Sequence, residues 1–311
     1  MGTPDFAVAP LRRLVEEGYR VVGVVTMPDK PAGRGLHLQQ SAVKRYAEQA
    51  GLRILQPEKL KDPQFVEQLR SLDADLGIVI AFRMLPEIVW AMPRLGTFNL
   101  HASLLPQYRG AAPINWALID GETESGVTTF LLNHEIDKGD ILCQSRVPIT
   151  PDDDAGTLHD KLMELGTELV VETIGKIASG EVAPVGQQQI VSGALRGAPK
   201  IFKPDCRIDW QTSGETIRNL IRGLSPYPAA WSELHRDGSA PVAVKIFKAR
   251  FERSDRPQSA GSLVTDGRKT LGVACADGLI LIDELQTAGR KRMSTADLLR
   301  GFQQIGEYTF R

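Results

Sequence analysis

The feature that most constrains the fold is a change of pattern part-way along the chain. Short, continuous apolar runs separated by helical periodicity give way to short alternating strands. Up to Gly180, Val21-Val22-Gly23-Val24-Val25, Leu76-Gly77-Ile78-Val79-Ile80-Ala81, Gly96-Thr97-Phe98-Asn99-Leu100 and Thr128-Thr129-Phe130-Leu131-Leu132 read as strands. Helical spacing covers residues 11–17, 41–50, 63–71, 113–119 and 157–179, the last through Leu158, Leu162, Leu165, Leu169 and Val170. Strands that are apolar throughout are buried on both faces, and strands alternating with helices build βαβ units, so an α/β domain with a mostly parallel sheet is predicted. After Gly180 a polar, glycine-bearing stretch follows, with Gln187-Gln188-Gln189, Gly193, Gly197 and Pro199. From Ile201 the runs Val242–Phe247 and Leu279–Ile282 are punctuated by Asp237-Gly238, Asp266-Gly267 and Asp277-Gly278. Such turn signals between short strands predict a small β-barrel of the oligonucleotide-binding kind. The expected division is an α/β domain over 1–180, a linker over 181–200 and a barrel over 201–311.

A chain of 311 residues with 42% apolar side chains can fill two cores. Cys143, Cys206 and Cys275 are odd in number and far apart, which fits a reducing, cytoplasmic setting rather than a disulfide framework. No apolar run approaches the roughly 18–20 residues that cross a bilayer, and Met1-Gly2-Thr3-Pro4-Asp5 lacks the basic and apolar regions of a signal peptide. His37, His134, His159 and His235 show no metal-ligand spacing, so no metal is expected. No Gly-x-Gly-x-x-Gly follows a strand, which speaks against a dinucleotide oxidoreductase. Charge is uneven: residues 1–200 hold 20 Lys+Arg against 25 Asp+Glu, and residues 201–311 hold 17 against 13. A positive C-terminal part suits a nucleic-acid partner. Within it Arg290-Lys291-Arg292 either tracks phosphates or forms a solvated turn.

The segment Phe98-Asn99-Leu100-His101-Ala102-Ser103-Leu104-Leu105-Pro106-Gln107-Tyr108-Arg109-Gly110 carries the chemistry. With the strand ending near Asn99, Asn99 and His101 share a face by period-two alternation. They lie at the carboxyl end of a strand, where open α/β sheets place ligands. Downstream, Ile136-Asp137-Lys138-Gly139-Asp140-Ile141 puts a carboxylate on a turn. An amide to hold an oxyanion, an imidazole to move protons and a carboxylate to orient it suit acyl transfer between amines. The pattern alone does not separate this from an ordinary structural histidine at a strand end.

Asn99-x-His101-x-Ser103-Leu104-Leu105-Pro106-x-x-Arg109-Gly110, followed by Ile136-Asp137-x-Gly139, resembles the folate-dependent formyltransferase family, whose members formylate purine nucleotides, sugar amines or methionyl-tRNA. The resemblance covers nearly the whole chain. Gly2–Ala7 is similar to the first loop, Pro28–Gly35 to a loop peculiar to the tRNA-acting members, and Ile208-Asp209-Trp210 with Pro226-Tyr227-Pro228 to their C-terminal barrel. It implies a Rossmann-like catalytic domain followed by an OB-like barrel. It also implies transfer of the formyl group of 10-formyltetrahydrofolate, a co-substrate, to the α-amine of methionine on initiator tRNA in bacterial translation initiation. Asn99, His101 and Asp137 become the catalytic set. Ser103, Leu104, Leu105 and Pro106 fall on the folate-contacting segment, and the loop bearing Phe82, Arg83, Met84 and Leu85 would hold the pterin with Asn133–Asp137. Lys30 and Arg34 fall on the acceptor-stem loop, and Arg290, Lys291 and Arg292 would add phosphate contacts. The chain is expected to act as a monomer, without a membrane partner.

Thr26–Gln40 spans about fifteen residues where strand–helix connections usually take two to six, and long loops without secondary structure are commonly functional. Leu36-His37 stands where the family often has a basic pair. One rival is a formyltransferase for a nucleotide-linked amino sugar, against which the Pro28–Gly35 loop argues. Another is a tRNA-binding module without activity, against which the intact Asn99, His101 and Asp137 argue. In the resembled family a short apolar strand precedes Gly-Thr-Pro. The reading therefore expects a first strand upstream of Met1, missing from this chain.

Overall fold

Buried strands must pair edge to edge to satisfy their backbone groups, and the apolar runs do so. The computed structural model describes residues 1–32, 37–191, 193–255, 258–302 and 304–311. They form two units, one of Met1–Gly110, Glu124–Val147 and His159–Gly197, the other of Ala111–Thr123, Pro148–Leu158 and Ala198–Arg311. The chain runs α1 (Val8–Glu16), β1 (Val24–Val25), β2 (Lys30–Ala32), β3 (His37–Gln39), α2 (Ala42–Gln49), β4 (Ile54–Leu55), α3 (Pro63–Arg70), β5 (Gly77–Ile80) and α4 (Glu87–Trp90). It continues through β6 (Thr97–His101), β7 (Arg109–Gly110), α5 (Pro113–Ile119), β8 (Glu124–Leu131), β9 (Ile141–Pro148), α6 (Ala155–Ser179) and β10 (Gly197–Ala198).

In the first unit β1 pairs β4 in parallel and β5 pairs β6 in parallel. Met1 and Gly2 lie between these pairs: the Gly2 amide donates to the Val25 carbonyl (3.1 Å) and the Ile80 amide to the Met1 carbonyl (2.9 Å). The order is therefore β4, β1, Met1–Gly2, β5, β6, β8, β9. The parallel character ends at β6, since β8 pairs it antiparallel. Val25, Leu55 and Val79 pack with Phe65, Val66 and Leu69 of α3 and Val89 of α4 in one core. Helix starts follow local chemistry: Ser41 accepts from the Lys44 amide, and Asp62 caps α3 ahead of Pro63.

One expected strand is shorter, and two strands stand where none was expected. The run Val21–Val25 contributes only its last two residues. Ile54-Leu55 is too short an apolar run to register as a strand, and β9 alternates buried and exposed side chains at the sheet edge rather than reading as continuous. The loop over 26–40, expected to lack secondary structure, holds an antiparallel ribbon in which Lys30 pairs Gln39 and Ala32 pairs His37. Among the described residues no helix is long and apolar enough to cross a membrane.

The second unit adds α7 (Gly214–Leu224), β11 (Ala230–His235), β12 (Val242–Arg253), β13 (Leu263–Thr265), β14 (Leu271–Cys275), β15 (Gly278–Thr287), β16 (Met293–Ser294), α8 (Thr295–Gly301) and β17 (Thr309–Phe310). Its strands follow the order β13-β14-β15-β12-β11-β17, and each neighbouring pair is antiparallel. The ends meet: Ser262 bridges Thr309, and the Phe310 amide donates to the Gly261 carbonyl at 2.8 Å. This nearly closes the barrel and leaves few unpaired edges. Each Asp-Gly signal falls at a strand connection, and Cys275 pairs Gly278 across the tightest of them. Ile217, Ile221 and Leu224 of α7 fill the barrel interior with Leu234, Val244, Ile246 and Leu285. Trp210 enters the same core and satisfies its indole N–H on the Ser232 hydroxyl at 2.9 Å.

Ile246 is fully buried, so Ile246→Ala should cost about 2–5 kcal/mol. The check is the denaturant midpoint of the barrel's own unfolding transition.

Candidate active site

Central β6 places the first two site residues. Asn99 sits opposite Val79 on one side and Phe130 on the other, and His101 sits opposite Thr128. Two positions apart on a strand, both side chains leave the same face. His101 is buried, and its Nε2 lies 2.9 Å from the Tyr108 carbonyl oxygen. A carbonyl only accepts, so neutral His101 carries its proton on Nε2 and keeps the lone pair on Nδ1. The Phe130 ring stands edge-on to the imidazole, 6.5 Å between centroids. The Asn99 side-chain oxygen is buried with no hydrogen-bond partner among the described residues. A buried, unpaired amide oxygen is costly unless a ligand meets it.

Asp137 arrives from the turn after β8. Its Oδ2 accepts from the Gly110 amide at 3.0 Å, and its backbone has φ +54°. Two residues on, a Cβ at Gly139 would lie 1.6 Å from the Leu131 carbonyl oxygen, so only glycine fits. This explains Asp-x-Gly: the glycine lets the turn fold back on β8 and presents the carboxylate. His101 thus leans on Tyr108 and Asp137 on Gly110, and no hydrogen bond joins the two side chains directly among the described residues.

The other predicted residues divide. The Ser103 hydroxyl donates to the Gln107 carbonyl (2.7 Å), and Leu105 and Pro106, joined by a cis peptide, are buried. Leu105 packs with Phe130 and Ile141, so its side chain serves the core, while Leu104 is half-buried. Arg83 donates to the carbonyls of Pro57 and Glu58, and its guanidinium lies over the Phe82 ring at 5.7 Å. Met84 is 74% exposed and Leu85 buried. Met84 and Leu85 line a cleft of about 650 Å³ with Lys59, Leu60, Lys61, Pro86, Glu87 and Ile88; Asn99, His101 and Asp137 are not in its wall. Arg34 lies outside the described residues. Lys30 is exposed at the ribbon's root. There Lys44 (2.5 Å) and the Gln56 amide (2.8 Å) hold the Asp29 carboxyl below the usual carboxylate range. In the second unit Arg290 and Lys291 are exposed. Arg292 is paired with Glu284 and stacked over Phe247 at 4.5 Å. Among the described residues no group of His, Cys, Asp and Glu is placed to hold a metal ion.

A formyl transferase family model matches residues 1–174, and the model of the formyl transferase C-terminal domain matches residues 200–303. The methionyl-tRNA formyltransferase of Bacteroides thetaiotaomicron is 58% identical over 309 residues, covering 99% of this chain and 96% of that one. That of Phocaeicola vulgatus is 60% identical over 307 residues, covering 97% and 94%. The chain belongs to the methionyl-tRNA formyltransferase family. Solved structures share the fold at low identity. WlaRD, a sugar 3N-formyl transferase, superposes with TM-score 0.63 at 18% identity over 93% of this chain and 97% of its own. HypX from Aquifex aeolicus with tetrahydrofolic acid gives 0.57 at 20% over 84% of this chain and 44% of its own.

Within this member of the family, sequence reasoning missed three residues that brace the site. The Thr128 hydroxyl donates to the Ser103 carbonyl (2.7 Å) and accepts from the Leu105 amide (3.1 Å). Gln144 donates to the Leu105 carbonyl (2.7 Å) and to Thr128 (2.9 Å). Gln187, 1% exposed, donates to the carbonyls of Asp137 and Gly139. Thr128 and Gln144 are ordinary strand residues by pattern, and Gln187 sits in a polar stretch that composition marks as a connector. No local signal distinguishes them.

Gly139→Ala should move the Asp137 turn and cost about 1–3 kcal/mol by overpacking. The measurements are turnover and thermal melting; unchanged turnover would show that the turn tolerates the methyl group.

Proposed function

We propose that this chain transfers the formyl group of 10-formyltetrahydrofolate to the α-amino group of methionine on initiator tRNA. Asn99, His101 and Asp137 serve as the catalytic set. The observation that carries the assignment is the buried, unpartnered Asn99 oxygen on the same strand face as His101, together with family membership. The domain plan that goes with it is a catalytic part over 1–180, a connector over 181–200 and a tRNA-facing barrel over 201–311. The same reading takes the chain to be cytoplasmic and monomeric.

The attacking amine must be neutral, and free α-amines titrate near 7.7–8.0, so that form is accessible at cellular pH. An N–H of the incoming amine meets the Asn99 oxygen, which orients the lone pair toward the formyl carbon. Attack forms the new C–N bond and moves the carbonyl pair onto oxygen. The Asn99 N–H group donates to that oxyanion. His101 takes the amine proton on Nδ1, its Nε2–H remaining on the Tyr108 carbonyl. Asp137, held by the Gly110 amide, supplies the charge that balances the imidazolium. The proton passes to N10, the C–N10 bond breaks, and the oxyanion collapses to the formamide, leaving formylmethionyl-tRNA and tetrahydrofolate. Ser103 to Pro106 and Phe82 to Leu85 line the folate side in this reading, mainly through backbone groups.

The direct test is whether purified protein formylates methionyl-tRNA when supplied with 10-formyltetrahydrofolate. An amino-sugar nucleotide used in place of the tRNA should be inert. Asn99→Ala should lower kcat roughly 10²–10³-fold, the loss of one oxyanion donor, and near-normal turnover would remove that role. Arg34→Ala should impair use of methionyl-tRNA far more than hydrolysis of the formyl folate. Equal losses in both assays would place the defect in folding or the folate site instead.

A further inference from the structure

Gln187 spends its whole hydrogen-bonding capacity on the candidate site. Its side-chain nitrogen donates to the Asp137 carbonyl (2.8 Å) and the Gly139 carbonyl (2.9 Å), and its oxygen accepts from Arg109 Nε (3.0 Å) and Nη2 (2.6 Å). An amide offers two N–H donors and two lone pairs, and all four are used. At 1% exposure the group has no face left for a substrate, so its action runs through the residues it holds. We propose that Gln187 is a positioning residue that sets the Asp137 carboxylate, an inference that rests on the catalytic role proposed for Asp137.

The two stretches it joins are the same two joined by the Gly110 amide and the Asp137 carboxylate. Asp137 has φ +54°, a conformation that side-chain-bearing residues keep only where their surroundings impose it. The Asp137 carbonyl is one of the groups that Gln187 holds. Without the amide, two carbonyls lose their donor, the Arg109 guanidinium loses its acceptor, and the turn can relax. The chain after Gln187 extends the brace. Gln107 donates to the Ala194 carbonyl (3.1 Å) and accepts from the Arg196 amide (2.8 Å), and the Tyr108 amide donates to the Arg196 carbonyl (2.7 Å). Ala194 and Arg196 therefore also steady Tyr108, whose carbonyl receives His101. The polar stretch that composition reads as a passive connector is a clamp on both members of the proton-handling pair.

The test uses the full chain with Gln187→Leu and Gln187→Glu. Glutamate keeps the volume and the acceptor for Arg109 but puts an oxygen where two carbonyls need a donor, so it carries the test should the leucine variant fold poorly. Expected is a fall in kcat of about 10–100-fold, as for an Å-scale misplacement, with KM for methionyl-tRNA and 10-formyltetrahydrofolate within about twofold. Hydrogen exchange at the Gly110 amide, the donor to Asp137, should quicken. In an Asp137→Asn background the added loss should shrink to about threefold or less, as for residues acting in one unit. Wild-type kcat in Gln187→Glu, or its full effect persisting in the Asp137→Asn background, overturns the proposal. If Asp137→Asn alone keeps full kcat, the catalytic reading of Asp137 fails by itself. The Gly110 exchange then still decides whether Gln187 holds the turn, faster exchange supporting it and unchanged exchange overturning it.

Discussion

The pairing of the Tyr108 carbonyl with the His101 ring, and of the Gly110 amide with the Asp137 carboxylate, is the constraint on which the site depends. The two backbone groups are two residues apart, so their Cα atoms lie within about 7 Å. An imidazole from β6 and a carboxylate from a turn thirty-six positions later in sequence are thereby brought to one short segment without a direct hydrogen bond between them. The arrangement also fixes chemistry as well as place. Because a carbonyl takes one ring N–H, the lone pair of neutral His101 is confined to Nδ1, and the Gly110 amide holds one of the two carboxylate oxygens of Asp137 in place.

That segment is in turn built from β6 and β8. Thr128 lies opposite His101 in the β6–β8 register, and its hydroxyl bonds the chain at Ser103 and Leu105 as it leaves the strand. Gln144 on β9 adds a second hold on Leu105. The sheet therefore does more than present two side chains at a strand end: it uses polar groups of neighbouring strands to steer the following loop back over them. Phe130, Leu105 and Ile141 close the apolar side of the same turn. A low-dielectric wall there strengthens the polar contacts it borders.

How much of this could be read from the sequence depends on the range of the interaction. β5, β6, β8, the helices α3 and α5, and the three Asp-Gly connections follow from local periodicity and turn chemistry, and they appear close to where expected. Asn99, His101 and Asp137 stood out through spacing combined with family resemblance; the period-two argument placed the first two, and nothing local could place the third on the Gly110 amide. β4 and β9 were missed because a two-residue apolar run and a half-exposed edge strand carry little periodic signal. The ribbon β2–β3 was missed because a sequence rich in proline, glycine and basic residues reads as a loop. Gln187 was illegible for a different reason. Its contacts reach back 48 to 78 positions, and a buried glutamine is indistinguishable in composition from the solvated ones beside it.

The backbone carries an independent mark of where the molecule concentrates its constraint. Among the described residues five non-glycine positions have φ in the left-handed region: Asp73, Ala81, Tyr108, Asp137 and Ala229. Each such conformation costs on the order of 1–3 kcal/mol and persists only where packing and hydrogen bonds over-determine it. Three of the five belong to the segments discussed above: Ala81 opens the loop leading to Phe82 and Arg83, Tyr108 receives His101, and Asp137 bears the carboxylate. Two of these three have visible supports, since the Tyr108 amide is held by Arg196 and the Asp137 carbonyl by Gln187. A chain free to relax would lower its energy by releasing both. That both supports, Gln187 and Arg196, follow α6 in sequence ties the strain to the brace, and makes these two residues part of what keeps the site in one shape.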